Sequence, residues 1–168
     1  MKPTSQQSGV MIIEALIGIL IFMIGILALI AMQATAIRAT QDARYRTEAV
    51  NYANDLLNKI VVNVDRTNPA TLQTSLNAFP HQPTAAAHCS YSGAASASAL
   101  LIDWEEFVTG TSGVTPLPRK PLPGTDATMV QVLVNTGAGA YNTVSITLCW
   151  RAPDDPVARK HVLVSYIS

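Results

Sequence analysis

The first half of the chain carries two hydrophobic patterns that follow one another without a break. Residues 10–32 are apolar on every side except for one carboxylate, Glu14. As a helix, this stretch would extend about 34 Å, which is enough to cross a hydrocarbon core of about 30 Å. The pattern therefore predicts a membrane-spanning helix over residues 10–33. A cleaved secretory signal is the alternative, but its apolar core would be only about 7 to 15 residues long.

The second pattern is an apolar stripe on a helix that is otherwise polar. Neither proline nor glycine occurs between Gln33 and Val64, so one helix of about 54 residues is predicted to begin at Val10. Hydrophobic side chains in its second half recur at steps of three and four residues: Ala49, Tyr52, Ala53, Leu56, Ile60 and Val64. Asp55 and Lys59 stand four residues apart, as in an exposed ion pair. This half of the helix therefore needs a packing partner on one face only.

The middle of the chain is predicted to contain short elements joined by loops. Pro69 ends the long helix, and residues 65–99 are predicted to form a surface connection with a short helix at 70–77. Residues 100–108 place three apolar side chains on one side at helical spacing, namely Leu101, Trp104 and Val108. We interpret this segment as a short helix that covers a core.

The C-terminal part of the chain predicts β-structure. A proline-rich segment at 115–124 precedes it and is interpreted as a rigid loop, with a polyproline ligand as the alternative. Three segments are rich in β-branched residues and largely alternate: Met129–Asn135, Thr143–Arg151 and His161–Ile167. Short turns join them, so we expect an antiparallel meander. Its inward face is predicted to cover the helical stripe with Val130, Val132, Val134, Val144, Ile146 and Leu148.

Charge excludes one class of partner. Lysine plus arginine and aspartate plus glutamate are equal at 11 each, so the net charge of zero gives no indication of a nucleic-acid partner. The share of charged residues is 13%, about half of what soluble domains carry. Residues 10–32 account for part of this deficit, which again points to a membrane segment.

The two cysteines, Cys89 and Cys149, lie far apart, and neither belongs to a CxxC pair. Since the three histidines are scattered as well, we predict no metal site. Outside the cytoplasm, one disulfide between the cysteines is the economical interpretation, and two unpaired thiols are the alternative. His88 precedes Cys89, but neighbours in an extended chain point apart and make a poor nucleophile and base. We find no GxSxG motif or phosphate-binding loop, and predict neither an enzyme nor a cofactor.

Glu14 is the residue with the strongest functional pattern. A lone carboxylate in an apolar helix must be neutral, hydrated at an interface, or paired with a cation from another chain. If the chain were cut after Gly9, the new α-amino group at Val10 would supply that cation, and Glu14 would be the fifth residue. The alternative is a glutamate at the membrane surface without functional consequence.

The segment SGVMIIEALIGILIFMIGILALIAMQ resembles the class III leader and N-terminal helix of type IV pilins and pseudopilins, over about residues 1–60. The resemblance implies a leader at 1–9, cleavage by a prepilin peptidase between Gly9 and Val10, N-methylation at Val10, and a role for Glu14 in subunit assembly. It implies an α+β fold, with a long N-terminal helix packed on a small antiparallel sheet. It also implies a single-pass inner-membrane protein whose residues 34–168 form a periplasmic domain, including the amphipathic second half of the helix.

The segments IDWEEFV, LPG and TLCWR resemble the PilV-type minor pilins, the type IV pilus modification proteins. This resemblance implies a low-abundance subunit that helps to initiate pilus assembly and supports adhesion or motility. Its implied partners are other minor pilins, the major pilin, the inner-membrane assembly platform and membrane lipid. A minor pseudopilin of a type II secretion system is the nearest alternative, and a membrane-anchored periplasmic enzyme or binding protein is a more distant one.

Overall fold

The computed structural model describes residues 10–113, 119–137, 139, 141–153 and 155–168. The fold class is α+β, as predicted, with a long N-terminal helix and small antiparallel sheets, consistent with the type IV pilin fold. The helices are α1 (Val10–Asn63), α2 (Pro69–Leu76) and α3 (Ala99–Thr109), with one 3₁₀ turn at Ala127–Met129. The strands are β1 (Thr84–Ala87), β2 (Ser90–Ser92), β3 (Val130–Asn135), β4 (Thr143–Trp150) and β5 (Arg159–Tyr166).

The chain divides into two compact units, residues 1–42 and 43–168, and α1 contributes to both. In the described part of the first unit, the side chains of residues 11–41 are exposed, although most of them are apolar. Within α1, the most apolar window of 18 residues has a mean hydropathy of 3.0, so by length and composition this helix could cross a membrane. This apolar surface has no partner among the described residues of the unit.

The core of the second unit forms on the predicted stripe of α1. All six predicted side chains are buried: Ala49, Tyr52, Ala53, Leu56, Ile60 and Val64. They belong to one hydrophobic cluster with α3 and the three-stranded sheet. Burying a side chain such as Leu56 or Ile60 stabilises the fold by about 1.5–3 kcal/mol. The stripe is therefore confirmed, and it is the main reason why this half of α1 is held by the domain.

The larger sheet has the order β3-β4-β5, and both pairings are antiparallel, so the predicted meander is confirmed. Ile146 lies opposite Val132 on one side and opposite Leu163 on the other. Five of the predicted inward side chains are buried: Val130, Val132, Val144, Ile146 and Leu148. Val134 is only half-buried, at the edge of the same cluster.

The two short helices are confirmed, and their ends follow from local chemistry. Asn68 caps α2, because its side chain accepts the N–H of Thr71 while the Thr71 hydroxyl accepts the N–H of Asn68. Gly110 ends α3 with a φ of 78°, a conformation that glycine adopts without strain. Within α3, the side chains predicted to cover a core are all buried: Leu101, Trp104 and Val108.

The interpretation of residues 65–99 as a surface connection was wrong in part. This segment buries several side chains in the main core, including Leu72, Leu76 and Phe79. It also contains a hairpin, β1-β2, in which Ala85 lies opposite Tyr91. Alanine has a low preference for strands and all of β1 is exposed, so no alternating pattern indicated the hairpin. The predicted proline-rich loop at 115–124 lies partly outside the described residues.

Candidate functional site

Glu14 lies on an exposed, apolar part of α1. Gly9 lies outside the described residues, and Val10 is the first residue of the helix. One helical turn separates Val10 from Glu14, about 6 Å along the axis. Large side chains on either side of Glu14 are exposed, for example Ile13 at 60% and Ile17 at 51%. The carboxylate is therefore surrounded by apolar surface that its own chain does not cover in the described residues.

Two glycines share the face of α1 that carries Glu14. At about 100° per residue, Gly18 and Gly25 lie within about 40° of Glu14 around the helix axis. A Cβ atom added at either glycine would meet no heavy atom within 4 Å. Since small residues let helix backbones approach closely in a membrane, this face is the one on which a second helix can come nearest to Glu14.

The structure joins Cys89 and Cys149 by a disulfide, with their Cα atoms 5.7 Å apart. The bond links the turn of the β1-β2 hairpin to the central strand β4. Cys89 has a φ of 56°, so this turn uses the left-handed region at a residue other than glycine. Both cysteines are buried in a small cluster with Tyr91 and Ala158, and burial raises the pKa of the Tyr91 hydroxyl. The hairpin is thus held by one covalent bond and a few apolar contacts.

Trp104 connects α3 to the buried stripe of α1. Its indole Nε1 donates a hydrogen bond to the carbonyl oxygen of Tyr52 at 3.0 Å. The Tyr52 hydroxyl donates to the carbonyl oxygen of Lys120 at 3.0 Å, and the Arg119 guanidinium lies 5.7 Å from the Tyr52 ring centre. Burial raises the pKa of Tyr52, with the positive charge of Arg119 acting in the opposite direction. Packing and this hydrogen bond therefore explain the tryptophan of α3.

We expect Trp104→Phe to lower the free energy of unfolding by about 2 kcal/mol, because it removes a buried hydrogen bond and part of a packed ring. Trp150→Phe is a matched control. Trp150 is also about 1% exposed, but its Nε1 has no hydrogen-bond partner among the described residues. Urea unfolding of the full chain in detergent micelles should show a larger loss for Trp104→Phe than for Trp150→Phe. Equal losses would contradict a contribution from the Trp104 hydrogen bond.

A group that the sequence did not reveal contains two buried residues, His81 and Ser96, and the partly buried Glu105. His81 is 2% exposed, and its Nε2 lies 3.6 Å from a carboxylate oxygen of Glu105. Its Nδ1 accepts the backbone N–H of Ser96 at 3.3 Å, whereas the Ser96 hydroxyl donates to the carbonyl oxygen of Ala78. The composition is that of a serine hydrolase triad, but the hydroxyl does not face the imidazole. These contacts instead connect the segments on either side of the hairpin to α3.

Glu105 makes stability depend on pH. Burial raises the pKa of its carboxyl above the ordinary value of 4.5; His81 opposes this shift and Glu106 adds to it. A raised carboxyl pKa means that the folded protein holds the proton more tightly than the unfolded chain. This contribution to stability is present below pH 4.5 and is lost as the pH rises to the folded pKa.

We therefore expect Glu105→Gln to become more stable relative to the unaltered protein as the pH rises from about 4 to about 7. The Glu105 carboxyl titrates in this range, whereas the amide of the variant does not. Urea unfolding at several pH values measures this difference. Glu106→Gln is the control, and it should change the slope less. A difference between the unaltered protein and Glu105→Gln that does not vary with pH would contradict the assignment.

His88 is exposed and Cys89 is bonded to Cys149, so these neighbours do not form a nucleophile and base. Among the described residues, no group of three or more His, Cys, Asp or Glu side chains could hold a metal ion. The predicted ion pair of Asp55 and Lys59 is present at 3.2 Å, with both side chains well exposed.

Comparison with protein families identifies a match over part of the chain. A family model described as Tt1218-like, type IV pilin Tt1218, matches residues 31–101. The match supports a type IV pilin. Its residues cover the second half of α1, α2, the hairpin and the start of α3; they begin after Glu14 and end before Cys149. Less than half of the chain is matched. No curated protein and no solved structure matches the chain.

Pilins are structural subunits rather than enzymes, so the match favours a protein that assembles with other pilins in a pilus. An apolar N-terminal helix fits membrane anchoring before assembly. Sequence reasoning had singled out this helix and Glu14. It missed the group at His81, because its three members lie on separate segments and none belongs to a recognisable motif.

Proposed function

We propose that this chain is a minor pilin, which helps to initiate assembly of a type IV pilus with other minor pilins and the major pilin and supports adhesion or motility. The observation that carries the proposal is the exposed apolar helix with its single carboxylate at Glu14. The match of residues 31–101 to a type IV pilin family supports it independently, since it does not include Glu14. The similarity of the α3 segment to PilV-type proteins favours a minor subunit.

Glu14 is proposed to pair with the α-amino group of a neighbouring subunit. A prepilin peptidase would cut after Gly9, and the amine of Val10 would be methylated and stay positively charged. In an apolar surrounding, a carboxylate without a partner is strongly disfavoured, and attraction between opposite charges is stronger than in water. Each added subunit therefore gains a counter-charge for one carboxylate, together with burial of the apolar surface of its helix. Gly18 and Gly25 make room for the neighbouring helix on that face.

The proposed organisation follows from the same helix. Residues 1–9 are the leader, residues 10–33 span the inner membrane and later form part of the filament core, and residues 34–168 form the periplasmic domain. Membrane lipid holds the subunit until the assembly platform transfers it into the pilus. A continuous helix over Val10–Asn63 supports this path, because the same element is apolar in one unit and part of the core in the other.

Processing provides the direct test. We expect the intact mass of the mature chain, purified from membranes, to correspond to a protein that begins at Val10 and carries one methyl group. A Gly9→Leu variant should retain residues 1–9, because a bulky residue would block the peptidase. A Gly18→Ala variant, which lies away from the cut, is the control and should be processed normally. If the unaltered chain retains residues 1–9, the proposed function is wrong.

A further inference from the structure

The larger sheet has one edge that its own chain covers. Val132 in β3 exchanges two backbone hydrogen bonds with His81, at 2.9 and 3.0 Å. In an antiparallel pair, alternate residues direct their N–H and C=O groups to the same side of the strand. Because the backbone N–H and C=O groups of Val132 bond to His81, the residues on either side of Val132 in β3 bond to β4. The residues of β4 that lie between these bonded positions, such as Ile146, therefore bond to β5. The partner of Ile146 in β5 is Leu163.

The other edge of the sheet is strand β5. Ile167, four residues beyond Leu163, donates its N–H to the carbonyl oxygen of Asn142 at 3.1 Å, which agrees with the alternation derived from Val132. The intervening residues therefore direct their backbone groups away from the sheet: Lys160, Val162, Val164 and Tyr166. Among the described residues, no isolated bridge or second strand pairs with this side of β5. The edge is long enough, at eight residues, to accept another strand.

The side chains of the same residues form an apolar row on the outer face of the sheet. Val162 is 44% exposed, Val164 is 52% exposed and Tyr166 is 69% exposed. Natural edge strands are usually protected by a charge, a proline or a bulge near their middle. In β5, the only charges stand at its beginning, and the pairing with β4 is regular from Arg159 to Tyr166. The middle of this edge is therefore unprotected.

The charges around β5 indicate what kind of strand would fit. Arg159 is bonded to Asp155 at 2.7 Å, whereas Lys160 has no carboxylate partner among the described residues. No aspartate or glutamate occurs from residue 156 to 168. A second copy of β5 would bring no acid to Lys160, because it carries only basic and neutral side chains. Opposite charges across a pair of strands are favourable, so a strand with an acidic side chain opposite Lys160 fits better than a second copy.

We propose that β5 accepts an extended, acidic strand from another protein, added antiparallel to the sheet between Lys160 and Tyr166. Backbone groups of the incoming strand pair with Val162 and Val164, and its alternate apolar side chains extend the row on the outer face. An acidic side chain near its C-terminal end lies opposite Lys160. Strand addition of this kind obtains its affinity from main-chain hydrogen bonds and its specificity from alternate side chains. The surface is separate from Glu14 and does not depend on the pilin role.

A synthetic peptide tests this surface. The probe is acetyl-Val-Thr-Val-Thr-Val-Thr-Glu-amide, and the control peptide carries lysine in place of glutamate. We expect the first peptide, added to the full chain in detergent micelles, to slow hydrogen exchange at the amides of Val162 and Val164. The amide of Leu163 is already bonded to β4 and should change little. An unchanged exchange rate at Val162 and Val164 would overturn the proposal.

Two variants of β5 sharpen the test. Val164→Pro removes an N–H that points away from the sheet, so the fold should persist while peptide binding is lost. Lys160→Glu should weaken binding of the glutamate peptide about threefold and favour the lysine peptide instead. Equal binding by Val164→Pro and the unaltered chain would overturn the proposal. In the absence of peptide, the amides of Val162 and Val164 could become more protected from hydrogen exchange as the protein concentration rises. That result would also overturn the proposal, because it would identify a second copy as the occupant.

Discussion

We expect Glu14→Ala to reduce incorporation of the subunit into pili strongly while leaving its insertion into the membrane intact. The substitution removes the cost of placing an acid in a membrane helix, so the apolar stretch from Val10 to Met32 inserts at least as well as before. In the proposed pairing, what the variant loses is the counter-charge for the amine of a neighbouring subunit. Removing one partner of a charge pair that is shielded from water is costly, so incorporation should fall about tenfold or more.

The measurement compares sheared pili with the membrane fraction in cells that produce either form. Glu14→Asp keeps the charge on a shorter side chain and should retain part of the incorporation. Glu14→Gln keeps the size without the charge and should resemble Glu14→Ala. A normal amount of Glu14→Ala in pili would remove the role proposed for the carboxylate, even if processing after Gly9 were as expected.

We expect loss of the disulfide to lower the free energy of unfolding by about 4 kcal/mol. Cys89 and Cys149 are separated by 60 positions, and in the chain-entropy model a bond that closes such a loop restricts the unfolded chain by about that amount. The hairpin that contains Cys89 has few other contacts to hold it against β4, since all four residues of β1 are exposed. Urea unfolding of the full chain in detergent, with and without reductant, measures the effect.

Substitutions of the cysteines distinguish the effect of the bond on stability from the effect of packing of the sulfur atoms. Cys89→Ala and the double variant that also carries Cys149→Ala should show similar losses in the free energy of unfolding, because the first substitution already breaks the bond. Cys149→Ala alone should lose slightly more than reduction does, since it also leaves a small cavity at a fully buried position. If reduction changed the unfolding midpoint by less than the error of the measurement, the disulfide would not stabilise the domain.

The elements that the sequence predicted well are those with long, regular patterns. The stripe from Ala49 to Val64 repeats over four turns, and tertiary packing confirmed all of it. The strands of the meander alternate β-branched residues over six to eight positions and were found in the expected order. In these elements local preference and burial require the same residues, so the pattern determines the structure.

The elements that the sequence did not predict depend on contacts between distant segments. The hairpin β1-β2 contains a run of alanine and a left-handed residue at Cys89, and neither favours a strand pair locally. The group of His81, Ser96 and Glu105 forms only when β3, α3 and the segment after the hairpin are packed together. The open side of β5 could not be predicted either, because it follows from the hydrogen bonds of Val132 on the opposite edge.

If residues 34–168 are exported as proposed, the bond between Cys89 and Cys149 also shows which copies have crossed the membrane. Disulfides form after export and are rare in the reducing cytosol. Copies that fail to translocate would therefore react with a maleimide reagent, and copies that have crossed the membrane would not. One gel lane then counts both populations, so a defect of Glu14→Ala in pili can be assigned to polymerisation rather than to secretion.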